Sequence, residues 1–122
     1  MGFAYTIEKV KGIGIIHPSG RLLEKFEAKD LLDEVNECIS QGINRFVINF
    51  RKLEYINSSG LNVFINIFTR SRNAGGEAII CNVSPKLKNL FLLTRLDSVF
   101  QMTETRTEAL KLLEKSAENH GS

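Results

Sequence analysis

Apolar and polar positions along the chain follow two different periods, and each period predicts one kind of element. Residues 3–10 alternate between apolar and polar side chains, which is typical of a half-buried strand. After a turn at Lys11-Gly12, residues 13–17 form a second predicted strand, which we expect to end at Pro18-Ser19-Gly20. Further strands are predicted at residues 45–50 and 77–83, and a turn at residues 96–100 has room for a short one.

Other stretches place apolar residues three and four positions apart, which is typical of a helix with one buried face. The predicted helices span residues 26–41, 59–73, 85–93 and 105–117. Strands that alternate with helices in this way indicate right-handed crossovers between parallel neighbours. The pattern therefore predicts an α/β fold in one domain, residues 3–117, with a mixed, mostly parallel sheet of four to five strands and about four helices. Residues 118–122 are predicted to be a flexible tail.

Composition narrows the class of protein. The chain has 122 residues and a net charge of +2, and its basic residues are scattered, so we expect no nucleic-acid partner. No apolar run approaches the ~20 residues that span a bilayer, and a secretory signal pattern is absent, so we expect no membrane partner and a cytoplasmic location. Cys38 and Cys81 are predicted to be reduced and buried. His17 and His120 lack neighbouring ligands, and we expect no metal and no cofactor.

The candidate chemistry lies between the third predicted strand and its helix, at Asn57-Ser58-Ser59-Gly60. Short polar side chains accept hydrogen bonds from the free N–H groups of a first helical turn, and the positive end of the helix suits a phosphate. An ordinary capped helix start explains the same residue types. A hydrolase would need a histidine and a carboxylate beside the serine, and no GxSxG motif is present, so we expect no enzyme and no catalytic residues.

Three segments together resemble the STAS domain of bacterial anti-sigma factor antagonists. Ile56-Asn57-Ser58-Ser59-Gly60-Leu61 is similar to the family's hydrophobic-Asp-Ser-Ser/Thr-Gly-Leu turn. Gly75-Gly76-Glu77 is similar to the entry into the family's fourth strand. The segment from Val83-Ser84-Pro85 to Thr94-Arg95-Leu96 is similar to the next helix and its turn. The resemblance extends over nearly the whole chain and implies the STAS fold.

The resemblance also implies a function in signalling and transcription regulation. It implies that the chain binds an anti-sigma factor with serine-kinase activity and so releases a sigma factor. The kinase would phosphorylate Ser58, with Ser59 as second choice, and a phosphatase would reverse the step. The residues implied to face the partner are Leu23, Tyr55, Asn57, Ser58, Ser59, Gly60 and Asn62.

Several positions depart from the family pattern. Asn57 replaces an aspartate, Leu23 stands where a second aspartate is common, Asn62 replaces a glycine, and Arg95 also replaces a glycine. An alternative function is therefore a STAS scaffold or small-ligand-binding module in a signalling complex, without phosphorylation. For Tyr55, Leu23 and Phe26, the sequence leaves a surface position and a core position equally open.

Overall fold

The computed structural model describes residues 2–120, with side chains up to residue 115. The strands are β1 (Phe3–Val10), β2 (Ile13–Leu22), β3 (Arg45–Asn49), β4 (Lys52–Ile56), β5 (Glu77–Cys81) and β6 (Gln101–Thr103). The α-helices are α1 (Lys29–Ser40), α2 (Ser58–Asn73), α3 (Pro85–Leu93) and α4 (Arg106–His120). Short 3₁₀ turns at Lys25–Ala28 and Leu96–Ser98 precede α1 and β6.

All six strands form one mixed sheet in the order β1-β2-β3-β5-β6, with β4 paired to the end of β2. The β1–β2 pair is antiparallel and every other pair is parallel. The predicted α/β fold with a mixed, mostly parallel sheet and four helices is confirmed. The sheet has one strand more than the upper end of the prediction because β4 was not predicted.

Helices cover the two faces of the sheet unequally. The larger core lies on the face of Phe46 and Ile48, where apolar residues of α1, α2 and α3 pack, among them Phe64. The opposite face carries Val47 and a smaller apolar cluster that includes Leu113 of α4. Strand β3 is buried on both faces, as its continuous apolar run predicts.

Strand β2 does not end at Pro18, contrary to the prediction from its Pro-Ser-Gly sequence. It pairs with β3 up to Ile16 and with β4 from Ser19 onward. Pro18 therefore falls between its two parallel partners, where the missing N–H group interrupts no parallel pairing. The register of the β2–β4 pair shifts between Gly20 and Arg21, which pair with Leu53 and Tyr55, so the extra residue of this irregularity is Glu54 of β4.

Other boundaries differ by a few residues. The predicted first helix begins with a 3₁₀ turn, and its α-helical part starts at Lys29. The short strand predicted within residues 96–100 lies at Gln101–Thr103 instead. Helix α4 continues to His120, into the predicted tail, whereas Gly121 and Ser122 lie outside the described residues. Among the described residues, no helix is long and apolar enough to cross a membrane.

Candidate functional site

Ser58 and Ser59 begin helix α2 at the rim of the sheet, and both are exposed. Asn57 immediately before them has an extended backbone, and its side-chain oxygen accepts a hydrogen bond from the Gly60 N–H at 2.9 Å. The first intrahelical bond runs from the Leu61 N–H to the Asn57 carbonyl, also at 2.9 Å. This cap uses one of the free N–H groups of the first turn and leaves those of the two serines without a protein acceptor among the described residues.

Asn57 makes a second hydrogen bond that an aspartate cannot make. Its side-chain N–H donates to the Leu23 carbonyl at 3.0 Å, while its backbone N–H donates to the Leu22 carbonyl at 3.4 Å. The residue thus joins the turn before α2 to the end of β2. A carboxylate has no hydrogen to offer the Leu23 carbonyl, so the amide at this position is a structural feature of this chain.

Gly60 is buried, although it was predicted to face a partner. A methyl group there would lie 2.5 Å from the Leu22 carbonyl oxygen and 2.7 Å from a side-chain carbon of Ile56. Its backbone angles are ordinary for a helix, so glycine is required for close approach and not for a left-handed conformation. Gly60 sets the position of α2 against β2 and offers the surface no side chain.

A groove of about 220 Å³ opens beside Ser58, between the turn before α2 and the start of α3. It is lined by Tyr55, Ile56, Asn57, Ser58, Lys86, Leu87 and Leu90. Ser84 caps α3 by accepting from the Leu87 N–H at 3.3 Å, which fixes the first turn of that helix beside the groove. The floor is mostly apolar, and Ser58 and Lys86 supply a hydroxyl and a cation at its edge.

Two cations flank the ring of Tyr55. The Arg21 guanidinium carbon lies 5.4 Å from the ring centre, and the Lys86 ammonium nitrogen lies 5.8 Å from it. Both distances are within the range of cation–π attraction. The Tyr55 side of the groove therefore carries positive charge as well as apolar surface, which suits contact with an acidic protein surface.

The structure brings together some of the predicted site residues and not others. Tyr55, Asn57 and Ser58 line one groove, and Asn57 holds the Leu23 backbone beside it. The sequence left a surface and a core position open for Leu23, Tyr55 and Phe26. Leu23 and Tyr55 are half-buried, between the two, whereas Phe26 is 76% exposed and so lies at the surface. The exposed Ser59 and Asn62 belong to the same helix but are not among the groove-lining residues.

Sequence reasoning missed the two cations, Arg21 and Lys86. Arg21 reaches Tyr55 because β2 and β4 pair in parallel, with these two residues as direct partners. That pairing could not be anticipated without β4. For Lys86 a signal was present, since Ser84-Pro85 predicts a helix start and so places Lys86 in an exposed first turn.

Other reactive groups lie away from the groove. Cys38 and Cys81 are free and buried, as predicted, and burial raises the pKa of the Cys81 thiol to about 11. His17 hydrogen-bonds to Glu8 at 2.8 Å. Within the described part of the chain, no group of three His, Cys, Asp or Glu side chains is placed to hold a metal ion.

Comparison with known proteins gives a consistent result. The family model of the STAS domain matches residues 4–109. BtrV of Bordetella bronchiseptica, provisionally named an anti-sigma factor antagonist, is 27% identical over 104 residues, covering 85% of this chain and 89% of that protein. The anti-sigma F factor antagonist of Paenibacillus polymyxa is 25% identical over 116 residues, covering 93% of this chain and 97% of that protein.

Solved structures show the same fold. The crystal structure of TM1081 from Thermotoga maritima matches with a TM-score of 0.79 and 22% identity, covering 90% of this chain and 94% of that one. The Bacillus protein SpoIIAA in its phosphorylated form matches with a TM-score of 0.69 and 22% identity, covering 88% and 97%. Its unphosphorylated form has a TM-score of 0.71, again at 22% identity, covering 91% of this chain and 98% of that one.

Proposed function

The chain belongs to the STAS domain family, and from that premise we propose that it is an anti-sigma factor antagonist. Two curated relatives that align over most of their length carry this name. In this function the chain binds an anti-sigma factor, and the sigma factor held by that protein is released for transcription.

The observation that carries the proposal is the exposed hydroxyl of Ser58 on the edge of a groove with an apolar floor. Apolar area supplies the driving force for association with a protein. Arg21 and Lys86 add positive charge around Tyr55, which favours an acidic partner surface. Ser58 stands where a modification would lie inside that contact.

We infer that the partner is also a serine kinase and that it phosphorylates Ser58. A phosphoryl group adds roughly −1.5 to −2 charges at pH 7. At the start of α2 this charge is compatible with the fold, because it faces the positive end of the helix. Inside a protein contact the same charge must be desolvated or must meet the partner's acidic groups, and both weaken binding. A phosphatase would restore the binding-competent form.

Ser58 is a better candidate than Ser59 for this role. Both hydroxyls are exposed, but only Ser58 lines the groove. A phosphoryl group on Ser58 would enter the space that an apolar partner side chain needs, whereas one on Ser59 would lie on α2 outside the groove.

The alternative is a STAS scaffold that binds its partner without phosphorylation, and Asn57 favours it. The amide at this position is held on both sides, by Gly60 and by Leu23, and it leaves the turn without the carboxylate that is usual before the serine in the family. A kinase that recognises that carboxylate would not act on this chain.

Incubation with ATP and the anti-sigma factor kinase encoded in the same genome, followed by intact-mass measurement, separates the two functions. We expect wild type and Ser59→Ala to gain one phosphoryl group and Ser58→Ala to gain none. Stable binding with no mass gain on wild type would reject the switch and leave the scaffold. Absence of binding by unphosphorylated wild type would reject both.

A further inference from the structure

A second polar concavity, of about 380 Å³, lies on the opposite face of the sheet from the Ser58 groove. It is lined by His17, Asn49, Arg51, Lys52, Asn82 and Arg106, none of which lines the groove. His17 follows Ile13 and Ile15 at strand spacing, and Asn49 follows Val47, so both point to the face that α4 covers. We call this concavity the α4-side cavity.

Asn49 forms the buried part of this cavity, with only 9% of its surface exposed. Its side-chain oxygen accepts two hydrogen bonds, from the backbone N–H of Arg51 at 3.1 Å and from the side-chain NH₂ of Asn82 at 3.0 Å. The oxygen is thereby occupied and the orientation of the amide is fixed. Its NH₂ group has no acceptor among the described residues, and every fully buried polar side-chain atom there is satisfied, so this donor is open to the cavity.

Positive charge in the cavity exceeds negative charge. Three basic side chains, Arg51, Lys52 and Arg106, line the cavity, and Glu8 is a carboxylate that contacts one of them, Arg106. One Glu8 oxygen accepts hydrogen bonds from both Arg106, at 2.7 Å, and His17, at 2.8 Å. The negative charge of Glu8 is therefore shared by these two residues. Arg51 and Lys52 take part in no ion pair within the described part of the chain.

We propose that the α4-side cavity binds a small oxyanion of the phosphate class. Guanidinium groups match the geometry of such an anion with pairs of parallel hydrogen bonds, and the accessible NH₂ donor of the fixed Asn49 amide adds direction. The cavity has the volume of a small-molecule site, so either inorganic phosphate or a phosphate monoester with a small organic part fits it. Ser58 takes no part, so this proposal is independent of the proposed function.

Titration with potassium phosphate, followed by backbone amide NMR in chloride buffer of constant ionic strength, tests the site. We expect saturable shifts centred on the amides of Asn49, Arg51 and Asn82. Glycerol phosphate serves as the monoester. If glycerol phosphate binds more tightly than inorganic phosphate, the ligand class is a phosphate monoester. If it binds equally or more weakly, the ligand is the free phosphate ion.

Variants locate the binding. Arg51→Gln and Asn49→Ala should each raise the dissociation constant at least tenfold. Lys25→Gln removes one positive charge from an exposed position outside the cavity and should change it less than twofold. Asn49→Ala also removes two hydrogen bonds that stabilise the fold. If this variant unfolds, Arg51→Gln and Lys52→Gln test the site, because both of these residues are exposed. Shifts that do not saturate, or that are unchanged in Arg51→Gln and Lys52→Gln, would overturn the proposal.

Discussion

Asn57 connects three parts of the site through one side chain. It caps α2, it holds the Leu23 carbonyl, and it lines the groove beside Ser58. An aspartate would keep the first role and lose the second. The substitution that looks smallest in the family motif therefore changes the local hydrogen bonding of this chain.

Asn57→Asp should lower the free energy of unfolding by about 1 kcal/mol. Leaving the Leu23 carbonyl without its donor costs about 1–3 kcal/mol, and a charge at the helix start returns about 0.3–1 kcal/mol. Urea unfolding at pH 7 measures the difference. Asn62→Asp adds the same charge at an exposed position of the same helix and should change stability less. An Asn57→Asp variant as stable as wild type would show that the Leu23 bond contributes no more than the charge at the helix start returns, and would contradict the expected net loss.

Ser58→Asp tests whether charge at the switch position disturbs the fold. Because the new carboxylate faces the positive end of α2, we expect its thermal midpoint to equal or slightly exceed that of wild type, by the equivalent of about 0.3–1 kcal/mol. Circular dichroism melting at low salt checks this, with Ser58→Asn as the neutral control. A marked loss of stability would mean that phosphorylation acts by unfolding the site.

The position of α2 against β2 depends on close backbone packing. Gly60→Ala should lower the free energy of unfolding by about 1–3 kcal/mol, because its methyl group would meet the Leu22 carbonyl oxygen at 2.5 Å. Ser59→Ala changes an exposed neighbour in the same turn and is the matched control. Urea unfolding of both variants measures the effect. Equal stability of the two variants would show that the helix start can shift freely.

At the level of elements, the sequence predicts those whose own residues determine them. The buried run of β3 and the spacing of apolar residues in α2 identify both elements. The extent of β2 depends on which strand lies beside each part of it, and no local pattern shows that Pro18 falls between two partners. Strand β4 is short and depends on the same pairing.

In the candidate site too, the features that depend on neighbouring residues were predictable and the contacts between distant residues were not. The Asn57-Ser58-Ser59 turn is a local cap motif, so its position and exposure follow from the sequence. The contact of Arg21 with Tyr55 and the bond from Asn57 to Leu23 join residues far apart in sequence. Such contacts require the sheet register and were not predicted.

Across the whole molecule, Glu8 links the first strand to the last helix. It accepts hydrogen bonds from Arg106 of α4 and His17 of β2, and these bonds, the Arg106 one first, hold the pKa of Glu8 below its ordinary value of 4.5. A lowered folded-state pKa means that the stabilisation is fully present above pH 4.5 and is lost as the pH falls through the lowered value.

Glu8→Gln should therefore reduce stability modestly at pH 7, by at most about 1 kcal/mol because the pair is exposed to solvent. The difference from wild type should shrink below pH 4.5 as Glu8 itself becomes protonated. Urea unfolding in chloride buffers from pH 7 to pH 3 measures it. Glu54→Gln changes an exposed carboxylate that forms no ion pair within the described residues and should show no such trend. A constant difference across this range would contradict the linkage.

The affinity of the anti-sigma factor kinase for the chain with and without a phosphoryl group on Ser58 tests the central claim most directly. Calorimetric titration of the two forms, each verified by intact mass, gives both dissociation constants. We expect the phosphoryl group to weaken binding at least a hundredfold, with the fold unchanged by circular dichroism. Equal affinities for the two forms would contradict the switch at Ser58.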